Sequence, residues 1–206
     1  MLNASDEVIR EVLALEEAKR KLEVRNKAED SFLPFVEHVY EGFIEGAHHK
    51  KVATLFEKLA VTPGSRVIVN LPPRHTKSEF ASYLLPAWLI GKNPSLKIIQ
   101  TTHTAELAVR FGRKVRNLME TEEYRDIFPG VDLRADSKAA GRWDTGQGGE
   151  YYAAGVGGAI TGRGADLLII DDLNRMRCRK RRWNMPTSGT RLVLARGFSL
   201  GGPSLL

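Results

Sequence analysis

Apolar positions recur in two periods along this chain, and the switches between them set the first expectations. Val8, Val12, Leu15 and Leu22 follow a helical spacing through about residue 25 in an otherwise charged segment. That pattern predicts a solvated helix with a narrow apolar stripe, packed on its own domain. "SFLPFVEHVYEGF" predicts an aromatic-rich helix after Pro34. "HHKKVATLFEKLA" puts Val52, Leu55, Phe56 and Leu59 on one helical face, and Pro63-Gly64 ends it. An apolar run over residues 67–71 then reads as a buried strand. After a short loop, Phe80, Leu84, Ala87 and Trp88 share a helical face. Pro86 inside that pattern should kink or shorten the helix, and Gly91 is its expected C-cap.

Residues 96–102 predict the next strand. Thr102 or Thr104 caps a helix that buries Ala108, Phe111, Val115 and Leu118. "ETEEYRDIFPG" is a short helix ended by Pro129-Gly130. Residues 131–165 alternate short strand-like pieces with glycines, which predicts hairpins and tight turns. Residues 167–170 form a third buried strand, running into Asp171 and Asp172. Strands separated by helices predict an α/β domain with a mainly parallel central sheet.

The 206 residues suffice for one domain with a real core, and 42% hydrophobic with 27% charged is an ordinary globular balance. No apolar run approaches the roughly 18–20 residues of a membrane helix. The charged N-terminus lacks a secretory apolar stretch. A single cysteine, Cys178, excludes an intramolecular disulfide and a cysteine-built metal cluster. An intracellular setting is expected. The net charge of +6 invites a nucleic-acid reading. However, eight of the 31 basic residues and none of the 25 acidic ones lie after residue 172. Residues 1–172 therefore hold 23 basic and 25 acidic side chains, a net of −2, and the basic character belongs to the tail.

The chemistry concentrates in "NLPPRHTKSE". Strand, tight loop, Lys-Ser and helix is the layout of a phosphate-binding loop. Aligned on Lys77, the glycine positions of G-x-x-x-x-G-K-[ST] hold Leu71 and Thr76. The physical needs are broader than the pattern: converging backbone N–H groups and a helix N-terminus aimed at phosphate. Lys77 would reach the β/γ-phosphates and the Ser78 hydroxyl would hold Mg²⁺, with Pro72 and Pro73 stiffening the loop. On the loop alone, a nucleotide site and an exposed Lys-Ser at a helix start both stand. "LLIIDD" adds weight: a hydrophobic strand ending in paired acids offers Asp171 for a metal sphere and Asp172 for an attacking water.

Together "NLPPRHTKSE", "GGEYYAAGVGGAITGRGADLLIIDD" and the His48-His49 pair resemble the N-terminal ATPase domain of the phage terminase large subunit, over roughly residues 30–172. Members of that family package viral DNA. The resemblance implies a P-loop NTPase core of the additional-strand type that hydrolyses ATP with Mg²⁺. It implies a homo-oligomeric ring acting on double-stranded viral DNA in the host cytoplasm, with a small terminase subunit and a portal protein as partners and no membrane. It also implies a C-terminal metal-dependent nuclease domain, for which this chain is too short.

Carried over by position, Pro73, Arg74, His75, Thr76, Lys77 and Ser78 form the nucleotide loop. Lys77 binds the β/γ-phosphates, Ser78 and Asp171 serve the metal, and Asp172 is the general base or water-orienting group. Arg74 is a candidate for stabilising transition-state charge, against a plain surface arginine. Arg163 as a finger reaching a neighbouring subunit ranks below a solvated turn residue. His48 and His49 carry little argument for an adenine role, and adjacent helical histidines point apart, so they fail as metal ligands. Trp143, Tyr151 and Tyr152 read as packing.

After Asp172 the resemblance stops. Residues 173–206 have no acid, no helical apolar period and a run of basic residues. The expected organisation is an N-terminal helical segment over 1–29, a partial ATPase domain over 30–172 that is incomplete at its C-terminus, and a non-native or disordered basic tail over 173–206. Such text is what a GC-rich gene gives when read out of frame. A frameshift near codon 173 is the expectation, to be checked by retranslating the DNA. Two other readings remain. Another P-loop ATPase acting on DNA is opposed by the Pro-Pro-Arg-His loop and the glycine-rich 131–165 region. A non-enzymatic nucleic-acid binder acting through its tail is opposed by the charge of residues 1–172.

Overall fold

The computed structural model describes residues 4–155, 157–158, 160, 163–171 and 190–199. Helix α1 (Ala4–Asp30) leads into α2 (Phe32–Val39) and α3 (Ala47–Val61). Strand β1 (Arg66–Leu71) and the loop after it lead to a π-helical stretch (Glu79–Leu84) that runs into α4 (Leu85–Lys92). Then come β2 (Lys97–Thr102), α5 (Ala105–Met119), α6 (Glu122–Ile127), β3 (Leu133–Ala139), β4 (Arg142–Thr145), β5 (Glu150–Gly155), β6 (Gly164–Asp171) and β7 (Thr190–Ser199).

Among the described residues the strands form one seven-stranded sheet in the order β1-β7-β6-β2-β5-β4-β3. Only β6–β2 and β2–β5 pair in parallel, so the sheet is mixed rather than mainly parallel. Two causes account for the difference. The glycine-rich region folds as an antiparallel β3-β4-β5 meander, as short connections require. At the other side, β7 runs antiparallel to both β1 and β6. It begins beside the end of β6, Asp171 opposite Leu192, so no crossover is needed. The low order expected of the tail does not hold for Thr190–Ser199, which bridges two strands. Because β7 opposes both neighbours, β1, β6, β2 and β5 all point the same way, and Leu71, Asp171, Thr102 and Gly155 end at one edge.

Burial follows the sheet order. β2 has five of its six residues buried, whereas β1 lies at the sheet's edge with Val69 alone buried and Ile68 59% exposed. The expectation of a fully buried β1 fails because an edge strand has only one flank to pack. β6 alternates: Ala165, Leu167, Ile169 and Asp171 are buried, while Leu168 and Ile170 are half-buried.

The helices pack around an aromatic cluster. Phe32 meets Phe56 and Phe80 at 5.5 Å and Trp88 at 5.6 Å between ring centroids, edge-on in each case. The Trp88 indole donates to the Ala28 and Glu29 carbonyls at 3.2 Å, tying the end of α1 to α4. The rest of α1 differs from expectation: Val8, Val12, Leu15 and Leu22 are half or more exposed, and among its described side chains only Ala28 is fully buried. In α3, Val52, Phe56 and Leu59 are buried as their spacing predicts, while Leu55 is 41% exposed. In α5, Ala108, Phe111, Val115 and Leu118 are buried, and the Thr104 hydroxyl caps the helix by accepting from Leu107 N–H. Trp143 and Tyr151 are core residues stacked at 4.8 Å, and Trp143 donates to Gly112 O.

Pro86 acts through the helix ladder. It lacks an N–H, and the preceding turn widens so that Leu85 N–H bonds Phe80 O, five residues back. Gly91 is not the C-cap. The helix continues to Lys92 and is capped at Asn93, and Gly91 is where the Phe128 ring lies against the backbone. A Cβ there would overlap the ring, so Gly91→Ala should lower stability by about 1–3 kcal/mol in a urea titration.

Candidate functional site

The loop between β1 and the π-helical stretch leaves the shared carboxyl edge of the sheet. Its backbone is unusual at two positions. Arg74 has φ 64° and Thr76 has φ 54°, the left-handed region that favours glycine. Thr76 stands at the last glycine position of the phosphate-loop pattern. The loop therefore takes the backbone shape that glycine normally supplies, at a strain of about 1–3 kcal/mol for a β-branched residue.

Hydrogen bonds hold that shape. Gly46 N–H donates to His49 Nδ1 at 2.9 Å, so the neutral ring carries its proton on Nε2. Nε2–H then donates to Thr76 Oγ1 at 2.6 Å, and the Thr76 hydroxyl donates to the His75 carbonyl at 2.7 Å. His49 is buried, with Phe80 stacked on its ring at 4.7 Å and Phe43 at 4.9 Å. Burial, with help from His48 and His75, holds its pKa below the ordinary 6.5 against the opposing pull of Glu45. The ring is neutral at pH 7. His75 Nδ1–H donates to Pro73 O at 3.0 Å, which tightens the turn.

The helix begins at Lys77, and Phe80 N–H bonds Thr76 O at 2.9 Å. Lys77 is 6% exposed and Asp171 is 2% exposed. Lys77 Nζ lies 3.4 Å from Asp171 Oδ1, an ion pair at a distance too long for a strong directional hydrogen bond. Ser82 Oγ donates to Asp171 Oδ2 at 3.1 Å. Asp171 Oδ1 receives no hydrogen bond from the described residues. Glu79 is paired with Lys114 of α5 at 2.8 Å, anchoring the start of the helix to the sheet's helical cover.

A concavity of about 280 Å³ is lined by residues 72–79. It thus gathers Pro73, Arg74, His75, Thr76, Lys77 and Ser78, all six loop residues expected from the sequence. Arg74 and His75 are exposed, and Ser78 is half-buried beside Lys77. Asp171 does not line the concavity; it meets it through Lys77. Asp172 lies outside the described residues. A second cavity, about 180 Å³, lies near the start of β2 and is lined by Leu59, Trp88, Leu89 and Leu96 among others. It holds none of the loop residues.

Arg163 is neither a solvated turn residue nor aimed at this site. Its guanidinium donates to Glu150 Oε1 at 2.7 Å and stacks over Tyr152 at 4.1 Å. Glu150 and Gly164 begin β5 and β6, at the sheet edge opposite the loop.

Two contributors were not read from the sequence. Ser82 is a small polar residue inside the apolar face of Phe80, Ala81 and Leu84, and that mismatch was the available signal. The His49–Thr76 contact joins residues 27 apart and left no local trace.

Chemically, the site presents a cationic amine, a hydroxyl-bearing residue and a helix start to one concavity, with a buried carboxylate behind them. That set fits a polyphosphate anion. Among the described residues, no three His, Cys, Asp or Glu side chains gather as a metal cage. An under-bonded Asp171 oxygen and the Ser78 hydroxyl suit a hard cation that takes its other oxygens from phosphate and water. Among the described residues, no helix is long and apolar enough to cross a membrane. Comparison with protein-family models, curated proteins and solved structures finds no match for the chain.

Proposed function

We propose that this chain carries the nucleotide-binding part of a Mg²⁺-dependent ATPase, the motor domain of a terminase large subunit that packages double-stranded viral DNA. One observation carries the reading: Lys77 and Asp171, distant in sequence, meet at 3.4 Å beside a strained loop at the carboxyl edge of the sheet. That edge is where ligands bind in open α/β sheets.

In this reading the left-handed positions at Arg74 and Thr76 curl the backbone around the phosphates. Lys77 would bind the β/γ-phosphates in place of its pairing with Asp171, and Ser78, with Asp171 through water, would hold the cation. The bound Mg²⁺ supplies charge neutralisation of the phosphates. Arg74, exposed on the loop, faces solvent from a position suited to transition-state charge. Asp172 is assigned to orienting the attacking water. The fold type proposed is the additional-strand P-loop class. The proposed partners are a homo-oligomeric ring, a small terminase subunit and a portal protein, in the host cytoplasm.

The frameshift remains part of this proposal. β7 fills the slot between β1 and β6, which an in-frame continuation would occupy with its own strand. We expect this chain to bind ATP weakly and not to package DNA. Fluorescent-ATP titration should show saturable binding that needs Mg²⁺ and is displaced by ADP and pyrophosphate. Binding indifferent to both, or lost when the basic residues of 173–206 alone are neutralised in charge, would favour a basic-tail nucleic-acid binder instead.

A further inference from the structure

We propose that His49 is a positioning residue for the loop: its Nε2–H holds Thr76 in the left-handed conformation that shapes residues 73–78 around a polyphosphate. The functional arm of this inference rests on the proposed nucleotide reading; the stability arm does not.

The argument starts from Thr76. A β-branched residue at φ 54° sits in a backbone region it rarely adopts, so something outside the loop must hold it. The described contacts to its side chain are two. One is its own neighbour's carbonyl, His75 O at 2.7 Å, which cannot anchor the loop to the fold. The other is His49 Nε2 at 2.6 Å, from α3, an element packed into the core. The imidazole is itself fixed. Gly46 N–H occupies Nδ1, which selects the Nε2–H tautomer, and Phe43 and Phe80 clasp the ring. Phe80 lies at the start of the helix that follows Lys77. The same ring therefore touches the loop through Thr76 and the helix through Phe80, one on each side of Lys77.

This placement assigns His49 a role that neither an adenine contact nor a metal ligand would give it. Both ring nitrogens are already engaged within the protein, so neither is available to a ligand. The donor must also stay neutral. A second proton would go to Nδ1 and meet the Gly46 N–H head-on. The groups around the ring are His48 on α3, Glu45 in the turn before it and His75 on the loop. Two of these three oppose a positive charge on the ring, and burial opposes it most.

Glycine at position 76 needs no such support, because it adopts positive φ without strain. This gives a test that separates loop positioning from packing. Four proteins are compared: wild type, His49→Ala, Thr76→Gly and the double variant, with His49→Gln as a fifth, since a glutamine amide can place an N–H₂ near the Nε2 position. Affinity for fluorescent MgATP and the urea midpoint are measured for each. We expect His49→Ala to weaken MgATP binding about tenfold by depopulating the competent loop. His49→Gln should recover most of that loss. In the Thr76→Gly background, His49→Ala should weaken binding less than about twofold, since the loop no longer depends on the donor. The urea midpoints should likewise be non-additive, with His49→Ala costing less in the Thr76→Gly background than in the wild type.

Equal losses in both backgrounds would overturn the proposal and make His49 a packing residue only. No loss with His49→Ala would overturn it too. If the wild type binds no nucleotide, the ATPase reading fails, and the urea cycle alone decides the clamp: additive midpoints reject it, non-additive ones uphold it. A pH series provides a second check. The clamp is expected to be intact above the ordinary histidine value of 6.5 and to weaken as pH falls below it; in Thr76→Gly the acid sensitivity of MgATP binding should vanish, while that of stability, set by burial of the ring, should remain.

Discussion

Lys77→Ala should lower the unfolding free energy by about 3–5 kcal/mol as well as remove nucleotide binding. Asp171 is 2% exposed, and its described partners are Lys77 and the single hydroxyl of Ser82. Without the amine, a carboxylate is left in low dielectric with one hydrogen bond, and removing one member of a buried pair is far costlier than removing both. The paired variant Lys77→Met with Asp171→Asn tests this directly. Methionine fills the lysine's channel, and asparagine still accepts from Ser82. Stability should return to within about 1 kcal/mol of wild type, while nucleotide binding stays lost. Urea unfolding of the three proteins measures it. A single variant as stable as wild type would mean that the two groups do not form a buried pair. A double variant no more stable than the single would mean that packing, not charge, sets the cost.

The second large effect concerns β7. A chain ending at residue 189 should fail to fold to a soluble monomer. β7 pairs with β1 at six positions and with β6 at seven, and β1 has no other strand neighbour among the described residues. Ladder bonds contribute about 1 kcal/mol each, so their loss rivals the roughly 5–15 kcal/mol that holds a domain together. Two open edges would also remain, and one carries the exposed Ile68. Gel filtration and unfolding of the shortened chain provide the readout. A monomer that melts like the full chain would show that Thr190–Ser199 contributes nothing to the sheet. Its basic, acid-free sequence would then have no structural role. A family-like strand reached by retranslation, placed in the same slot, should be at least as stabilising as β7 if the frameshift is real.

How much of this was legible in the sequence depends on the distance over which each signal acts. Helical spacing located α3 and α5 because their buried positions are set within a turn or two: Val52, Phe56 and Leu59, then Ala108, Phe111, Val115 and Leu118. The strand positions were equally local. Burial of β1 was not, since it depends on which strand ends up at the edge. Strand direction was missed for a related reason. The apolar run from Leu192 to Ala195 is strand-like, but its basic neighbours and missing acids drew the reading towards disorder. Only the gap between β1 and β6 gives it a place. The α1 stripe shows the opposite error: Val8, Val12 and Leu15 are spaced as for packing, and the described part of the fold leaves them in solvent.

The site divides in the same way. The Lys-Ser pair and the carboxylate that ends β6 were visible as short strings, and Lys77 and Asp171 do come together. The glycine pattern was misleading because it encodes a backbone shape, and here Arg74 and Thr76 adopt that shape with side chains attached. What holds them there is a contact from α3, and no pattern confined to the loop could contain it.

The central claim is that residues 77, 78 and 171 share one cation–polyphosphate site. Paramagnetic broadening tests it most directly, with Mn²⁺ in place of Mg²⁺ and amide resonances followed by NMR. Addition of Mn²⁺ with ADP should broaden the Lys77, Ser78 and Asp171 amides together, while Mn²⁺ alone leaves them sharp, because the phosphates supply the missing ligands. Broadening centred elsewhere, or at one of the two segments without the other, would contradict the account.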